Sequence, residues 1–248
     1  MKEILLVTGG GRGIGAATAI LAAQRGYAVA VNYRRNAEAA EAVVAEIRAA
    51  GGTAVALQAD VAREEEVVRL FEALDAQLGT ITALVNNAGI VELQQRTDQI
   101  DAARLERVFA TNVFGPFLCA REAVKRMSTR YGGQGGAIVN VSSAASRTGS
   151  PGEYVDYAAT KGAIDTFTLG LGREVAAEGI RVNAVRSGMV YTEIHADGGE
   201  PNRVERMKTR LPIQRGAQPI EIARSILWLL SSEASYLTAA LVDVAGGL

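Results

Sequence analysis

Two residues four positions apart, Tyr157 and Lys161, form the pairing in this chain with the most chemical potential. They lie in Tyr157-Ala158-Ala159-Thr160-Lys161-Gly162-Ala163, an alanine-rich run with helix character, and that step puts both on one helix face. A phenol with a pKa near ~10 is a poor base at neutral pH unless nearby positive charge stabilises the phenolate. The pair therefore predicts general acid–base chemistry, with Lys161 drawing the Tyr157 pKa toward neutrality. Ser143 closes the run Ala137-Ile138-Val139-Asn140-Val141-Ser142-Ser143. Its hydroxyl can donate to a substrate oxygen and stabilise charge growing there. Strand alternation turns Ser142 the other way. Alone, a helical Tyr–Lys pair is most often a solvated contact, so the elements around it have to decide.

Those elements alternate. Short apolar runs occur at Ile4 to Val7, Ala28 to Val31, Ala54 to Leu57, Ile81 to Val85, Ala137 to Val141, Ile180 to Val185 and Ala240 to Val244. Between them run stretches with helical spacing, such as Glu38-Ala42-Ala45-Ala49 and Val67-Phe71-Leu74-Leu78. Nearly continuous apolar strands separated by helices are what a helix-covered parallel sheet requires. The expectation is an α/β fold: one doubly wound domain over 1–248, with a mostly parallel seven-stranded sheet and helices on both faces. In such sheets ligands sit beyond the carboxyl ends of the strands, at the switch point. The longest irregular stretch, 188–216, would overhang that edge as a substrate lid, with a short helical pattern around Val204 to Arg210.

The first strand runs into Thr8-Gly9-Gly10-Gly11-Arg12-Gly13-Ile14-Gly15-Ala16. Glycines let backbone approach a diphosphate without a Cβ in the way, and a helix opening near Gly13 aims its N–H groups at that charge. Gly9, Gly11, Arg12, Gly13, Ile14 and Gly15 are therefore candidate cofactor contacts. After the second strand comes Asn32-Tyr33-Arg34-Arg35-Asn36, with no carboxylate before Glu38. A site for NAD commonly places an acid there, whereas the 2′-phosphate of NADP wants a cation. Arg34, Arg35 and Arg12, whose planar forks suit phosphate, predict NADP(H), with Asn32 and Tyr33 lining the same end.

Composition removes several classes. The chain has 26 Lys and Arg against 27 Asp and Glu, a net charge of -1 and 5% aromatic residues, so neither a polyanion surface nor a base-stacking platform is expected. One cysteine, Cys119, and one histidine, His195, cannot supply a zinc site, and no metal is expected. The short apolar start is no signal-peptide core or membrane span, which predicts a cytoplasmic protein without membrane contact. A hydrolase is excluded by the absence of a G-x-S-x-G elbow, with His195 the one available base for Ser143.

Taken in order, Thr8-Gly9-x-x-x-Gly13-x-Gly15, Asn86-Asn87-Ala88-Gly89, Ser143 and Tyr157-x-x-x-Lys161 resemble the short-chain dehydrogenase/reductase family over essentially the whole chain. The resemblance implies a Rossmann fold and hydride transfer between NADP(H) and a small carbonyl or alcohol, with Tyr157 as acid or base. It implies that Asn112 holds a water linking Lys161 to solvent, and that Lys161 holds the nicotinamide ribose. It places Asp60 and Val61 at the adenine, and Asn87, Ala88 and Gly89 along the adenosine ribose. Gly188, Val190 and Thr192 then fall at the carboxamide. A homo-oligomer, dimer or tetramer, goes with it.

The chain also departs from the family pattern. Ser187 stands where proline is usual, which predicts looser backbone before Thr192, and Ala245 replaces a common aspartate. The interval from Ser143 to Tyr157 is one residue longer than in many members, read as an insertion around Gly149-Ser150-Pro151-Gly152. Tyr154 lacks a lysine four residues on and is the weaker rival. Arg203, Arg206, Lys208 and Arg210, offset by Glu200 and Glu205, read as a solvated helix or as a guide for an anionic substrate, and Cys119 as core. An alternative function is a 3-oxoacyl carrier-protein reductase, for which Arg130 could dock an acidic carrier, although Glu178 has the wrong sign. A second alternative is a non-catalytic NADP(H)-binding regulatory protein.

Overall fold

The structure is a computed structural model and describes residues 3–248. Seven strands form one sheet: β1 (Ile4–Val7), β2 (Ala28–Tyr33), β3 (Thr53–Gln58), β4 (Ala83–Asn86), β5 (Gly136–Ser143), β6 (Ile180–Ser187) and β7 (Leu241–Val244). Their order is β3-β2-β1-β4-β5-β6-β7, and every pair is parallel. The helices are α1 (Gly13–Gln24), α2 (Ala37–Ala49), α3 (Glu64–Gln77), α4 (Ala102–Phe109), α5 (Gly115–Met127), α6 (Ala145–Thr148), α7 (Val155–Glu174), α8 (Ile194–Asp197), α9 (Arg203–Met207) and α10 (Pro219–Leu230).

Period-two alternation divides the core. Leu5, Val7, Val29 and Val31 face α1, α2 and α10, whereas Ile4, Leu6, Ala28 and Ala30 face α3 and α5. Both faces are covered, so each fully buried Leu or Phe stabilises by roughly 1.5–3 kcal/mol. Local chemistry sets the helix starts. Asn36 accepts from the Ala39 N–H and Asp101 from the Arg104 N–H. Pro219 begins α10 under a Gln218–Glu221 capping box.

Strand order reverses at β1, which pairs with β2 over Ile4–Val7 and on its other side with Ala83 to Val85 of β4. The carboxyl ends of β1, β4, β5 and β6 therefore open onto one crevice. The fourth strand differs from expectation, since β4 runs from Ala83 to Asn86 and places Asn86 inside the strand, whereas β5 carries Ser143 as its last residue, as expected. Ser187 lies inside regular strand. Unlike proline it keeps its N–H, so β6 continues through Ser187, which pairs with Ser143 and Val244 and accepts the Ala144 N–H at 2.9 Å. Segment 188–216 is less irregular than its composition suggests, holding α8, α9 and a 3₁₀ turn at Lys208–Arg210.

Candidate active site

The β1–α1 turn needs its glycines for two different reasons. Gly9 (φ +61°) and Gly13 (φ +53°) sit in the left-handed region, where a side chain is strained. A Cβ on Gly13 would also stand 3.1 Å from Thr192 Cγ2. Gly15 serves packing instead: a Cβ there would lie 2.4 Å from the Gly9 carbonyl oxygen and 2.5 Å from Asn87 Nδ2. It is not among the residues that line the cavity. The α1 start carries no side-chain cap and no acid in its first turn, leaving backbone donors and a positive dipole end for an anion.

Around that turn the backbone is braced. The Thr8 hydroxyl accepts from the Asn87 and Ala88 N–H groups, both at 3.0 Å. Asn87 Nδ2 returns bonds of 3.0 Å to the Thr8 and Gly9 carbonyls. Asn32 takes the Gly9 N–H at 3.3 Å and donates to the Leu57 and Ala59 carbonyls. One continuous cavity of about 780 Å³ runs from here to the ends of β5 and β6.

Gly9, Gly11, Arg12, Gly13, Ile14, Asn32, Tyr33, Arg34, Arg35, Asp60 and Val61 all line the cavity, as do Asn87, Ala88, Gly89, Gly188, Val190 and Thr192. Two of the three cations at the predicted 2′-phosphate end have carboxylate partners. Arg34 Nε lies 2.8 Å from Asp60, and Arg12 pairs with Asp197 of α8. Among the described residues Arg35 has no ion pair.

At the other end, Ser143, Tyr157 and Lys161 meet on one wall. Burial pushes the Tyr157 phenol up to about 12, with the Ser143 hydroxyl bond pulling the other way. Lys161, 5% exposed, donates to the Val141 carbonyl at 2.7 Å and stands 5.4 Å from the Tyr157 ring centroid. Burial lowers its pKa to about 8, opposed by Asp165. Desolvation thus acts on both groups, raising the phenol and lowering the ammonium, which here bonds a carbonyl.

Asn112 does not line the cavity; its neighbour Thr111 does. It sits, 1% exposed, in a π-helical turn at Ala110–Phe114 and clamps Ile90 at both backbone groups, 2.8 and 2.9 Å. A Cβ on Gly89 would stand 3.6 Å from Asn112 Oδ1 and 3.8 Å from Lys161 Nζ, which places this backbone directly beside both side chains. Ser142 turns away as alternation predicts and donates to Asp165 at 2.6 Å. Tyr154 is buried and donates to the Gly198 carbonyl at 3.0 Å, a brace on segment 188–216.

Sequence reasoning placed 188–216 over the site but missed how its arginines are held. Arg203 is not solvated: it is buried over the Tyr154 ring, pairs with Glu153 and reaches Glu200 at 3.1 Å. Arg206 pairs with the same two acids. His195 also lines the cavity; its Nε2 donates to the Val190 carbonyl at 2.9 Å, and burial lowers its pKa. No local pattern announces pairs 50 residues apart. Glu178 meets Arg130 at 3.9 Å and accepts from Ser128, so the basic side chain is already partnered. Cys119 is buried core, as expected. No helix among the described residues is long and apolar enough to cross a membrane.

The comparisons with known proteins point one way. The sequence profile described as short chain dehydrogenase matches residues 3–202. The chain is 61% identical to the uncharacterised oxidoreductase YgfF of Escherichia coli (strain K12), covering 98% of this chain and 99% of that one. It is 38% identical to the 3-oxoacyl-[acyl-carrier-protein] reductase FabG of Staphylococcus aureus (strain Mu50), covering 100% and 98%. A Burkholderia cenocepacia short chain dehydrogenase solved in complex with NADP superimposes with a TM-score of 0.90 at 31% identity, covering 100% and 98%.

Proposed function

The chain belongs to the short-chain dehydrogenase family, and from that premise we propose that it is an NADP(H)-dependent reductase of small carbonyl compounds, with Tyr157 as proton donor. The observation that carries this reading is the shared wall of Ser143, Tyr157 and Lys161 in a cavity whose far end is a glycine turn flanked by arginines. The donor set fits a dinucleotide: bare α1 N–H groups for the diphosphate, Arg12, Arg34 and Arg35 for a 2′-phosphate, and Gly188, Val190 and Thr192 for the nicotinamide end.

When bound, the reduced cofactor supplies the hydride. Ser143 donates a hydrogen bond to the carbonyl oxygen and polarises it. Tyr157, protonated at neutral pH, passes its phenolic proton to that oxygen as the alkoxide forms. Lys161 places positive charge beside the phenolate that remains and donates to the ribose. Asn112 fixes the Gly89–Ile90 backbone beside Lys161. Segment 188–216, braced through Tyr154 and Arg203, covers the substrate and excludes water as a lid. Because Lys161 must be charged, reduction is level below about pH 8 and falls about tenfold per unit above it, read from initial rates across pH.

The test is NADPH oxidation against ketones, aldoses and acyl thioesters, with NADH in parallel. Turnover of a ketone or aldose with NADPH preferred supports the reading, and equal or better rates with NADH overturn the cofactor assignment. Arg35→Ala is expected to raise the KM for NADPH about tenfold and leave that for NADH in place, since a charge-assisted hydrogen bond contributes about 1.5–3 kcal/mol. The Staphylococcus aureus relative favours a second reading, a 3-oxoacyl carrier-protein reductase, and preferred turnover of the thioester arm would establish it. The exposed Phe114 (58%) and Phe117 (48%), with Leu105 nearby on α4, support a homo-oligomer, dimer or tetramer.

A further inference from the structure

Asp165 lies one helical turn beyond Lys161 on α7, buried, and holds no role in the reaction as set out above. Its two carboxylate oxygens are both used. One accepts the Ser142 hydroxyl at 2.6 Å and the other the Arg186 Nε at 2.9 Å. Ser142 directly precedes Ser143, and Arg186 precedes Ser187, the register partner of Ser143. A single carboxylate thus fastens the lysine helix to the two strands whose ends form the reacting edge. The chain of charges continues outward: Arg186 reaches Asp243 of β7 at 3.8 Å, and Asp243 faces Arg147 of α6 at 3.4 Å.

Lys161 has a problem that Asp165 answers. Its ammonium is buried and donates to a neutral carbonyl, a setting in which a cation tends to give up its proton. The charged or titratable groups around Nζ are few. Its own helix offers Tyr157 and Asp165, and β6 offers Arg186 behind Asp165. β5 offers the Val141 carbonyl and two serines, while the loop after β4 and the π-helical turn offer Gly89 backbone and the Asn112 amide. Asp165 is the one anion in this set, and it alone opposes the lowering of Lys161 by burial.

We propose that Asp165 is a positioning residue for the reaction: clamped by Ser142 and Arg186, it keeps the Lys161 ammonium charged and its helix fixed against the Ser143 edge. The carboxylate touches neither substrate nor cofactor and acts through Lys161. Arg186 tempers it, because part of the negative charge is neutralised by the guanidinium. The proposal rests on the reading of Lys161 as part of the reacting group, but its test uses no turnover.

The chain has four lysines, Lys2, Lys125, Lys161 and Lys208, so protein labelled with ¹³C at lysine Cε gives a spectrum simple enough to titrate. The Lys161 resonance is the one lost in Lys161→Arg. Asp165→Asn is expected to move its titration midpoint down by up to about one pH unit, because it removes the anion one helical turn away. Arg186→Gln is expected to move it up, and Ser142→Ala, which removes a hydrogen bond but no charge, to leave it in place. An unmoved midpoint in Asp165→Asn, both charge variants moving the same way, or Ser142→Ala matching Asp165→Asn overturns the proposal. If Asp165→Asn does not fold, Arg186→Gln decides: an upward shift supports it, and no shift or a downward one overturns it. Should the wild-type protein reduce no carbonyl while the midpoints move as expected, the proposed function fails and the hold of Asp165 on Lys161 stands.

Discussion

Tyr157→Phe is expected to cut carbonyl-reducing turnover by at least ~10²-fold while NADPH affinity stays within about twofold, the scale of lost general acid–base assistance. The phenol is the one group on the cavity wall placed to give up a proton beside both Ser143 and Lys161. Phenylalanine keeps the ring, its packing and the α7 backbone, so the loss isolates the proton. The glycine turn, the arginines and Val190 are untouched, which is why binding should survive. Single-turnover rates and nicotinamide fluorescence titrations separate the two quantities. A tenfold fall in affinity would show that the ring hydroxyl orders the cofactor, and a modest loss of turnover would pass the proton role to another group.

Arg104→Leu is expected to destabilise the fold by about 3–5 kcal/mol, the usual cost of breaking a buried ion pair from one side. Arg104 and Asp156 are only 6% and 2% exposed, and they meet through two bonds of 2.7 and 3.2 Å. Arg104 also donates to the Leu93 carbonyl at 2.6 Å and to Gln95 at 3.0 Å, so it joins α4, the loop after β4 and the start of α7. Leucine leaves the Asp156 carboxylate buried without its cation, next to Tyr157. Urea unfolding measures the cost, and thermal unfolding should show a fall of about 10 °C for a chain of this size. The double variant Arg104→Leu with Asp156→Leu should recover much of the loss, because no lone charge is left behind. Equal damage in single and double variants would mean that shape, not charge, makes this contact.

Much of the site could be read before any coordinates because its chemistry is local in sequence. The Tyr157–Lys161 step is one helical turn, and the glycine turn joins one strand to the next helix. Strand alternation alone separated Ser142 from Ser143. What the sequence left hidden is non-local or depends on burial. The Ser142–Asp165 and Glu153–Arg203 contacts join residues 23 and 50 apart, and no spacing rule reports them. Gly15 shares its motif with Gly9 and Gly13, yet only packing geometry shows that it faces Asn87 and not the cavity. Ser187 is read against proline, and the sheet register places it inside β6. Burial pushes the Tyr157 phenol up, an effect that cannot be read from a neighbouring lysine.

The most direct check is a crystal structure of the protein with NADP and the alcohol product of whichever carbonyl it reduces. The phenolic oxygen of Tyr157 should lie about 2.6–3.2 Å from the alcohol oxygen, with the Ser143 hydroxyl in similar reach of the same atom. An alcohol oxygen more than ~4 Å from the phenol with no bridging water, or one bonded to a different titratable group, would contradict the account.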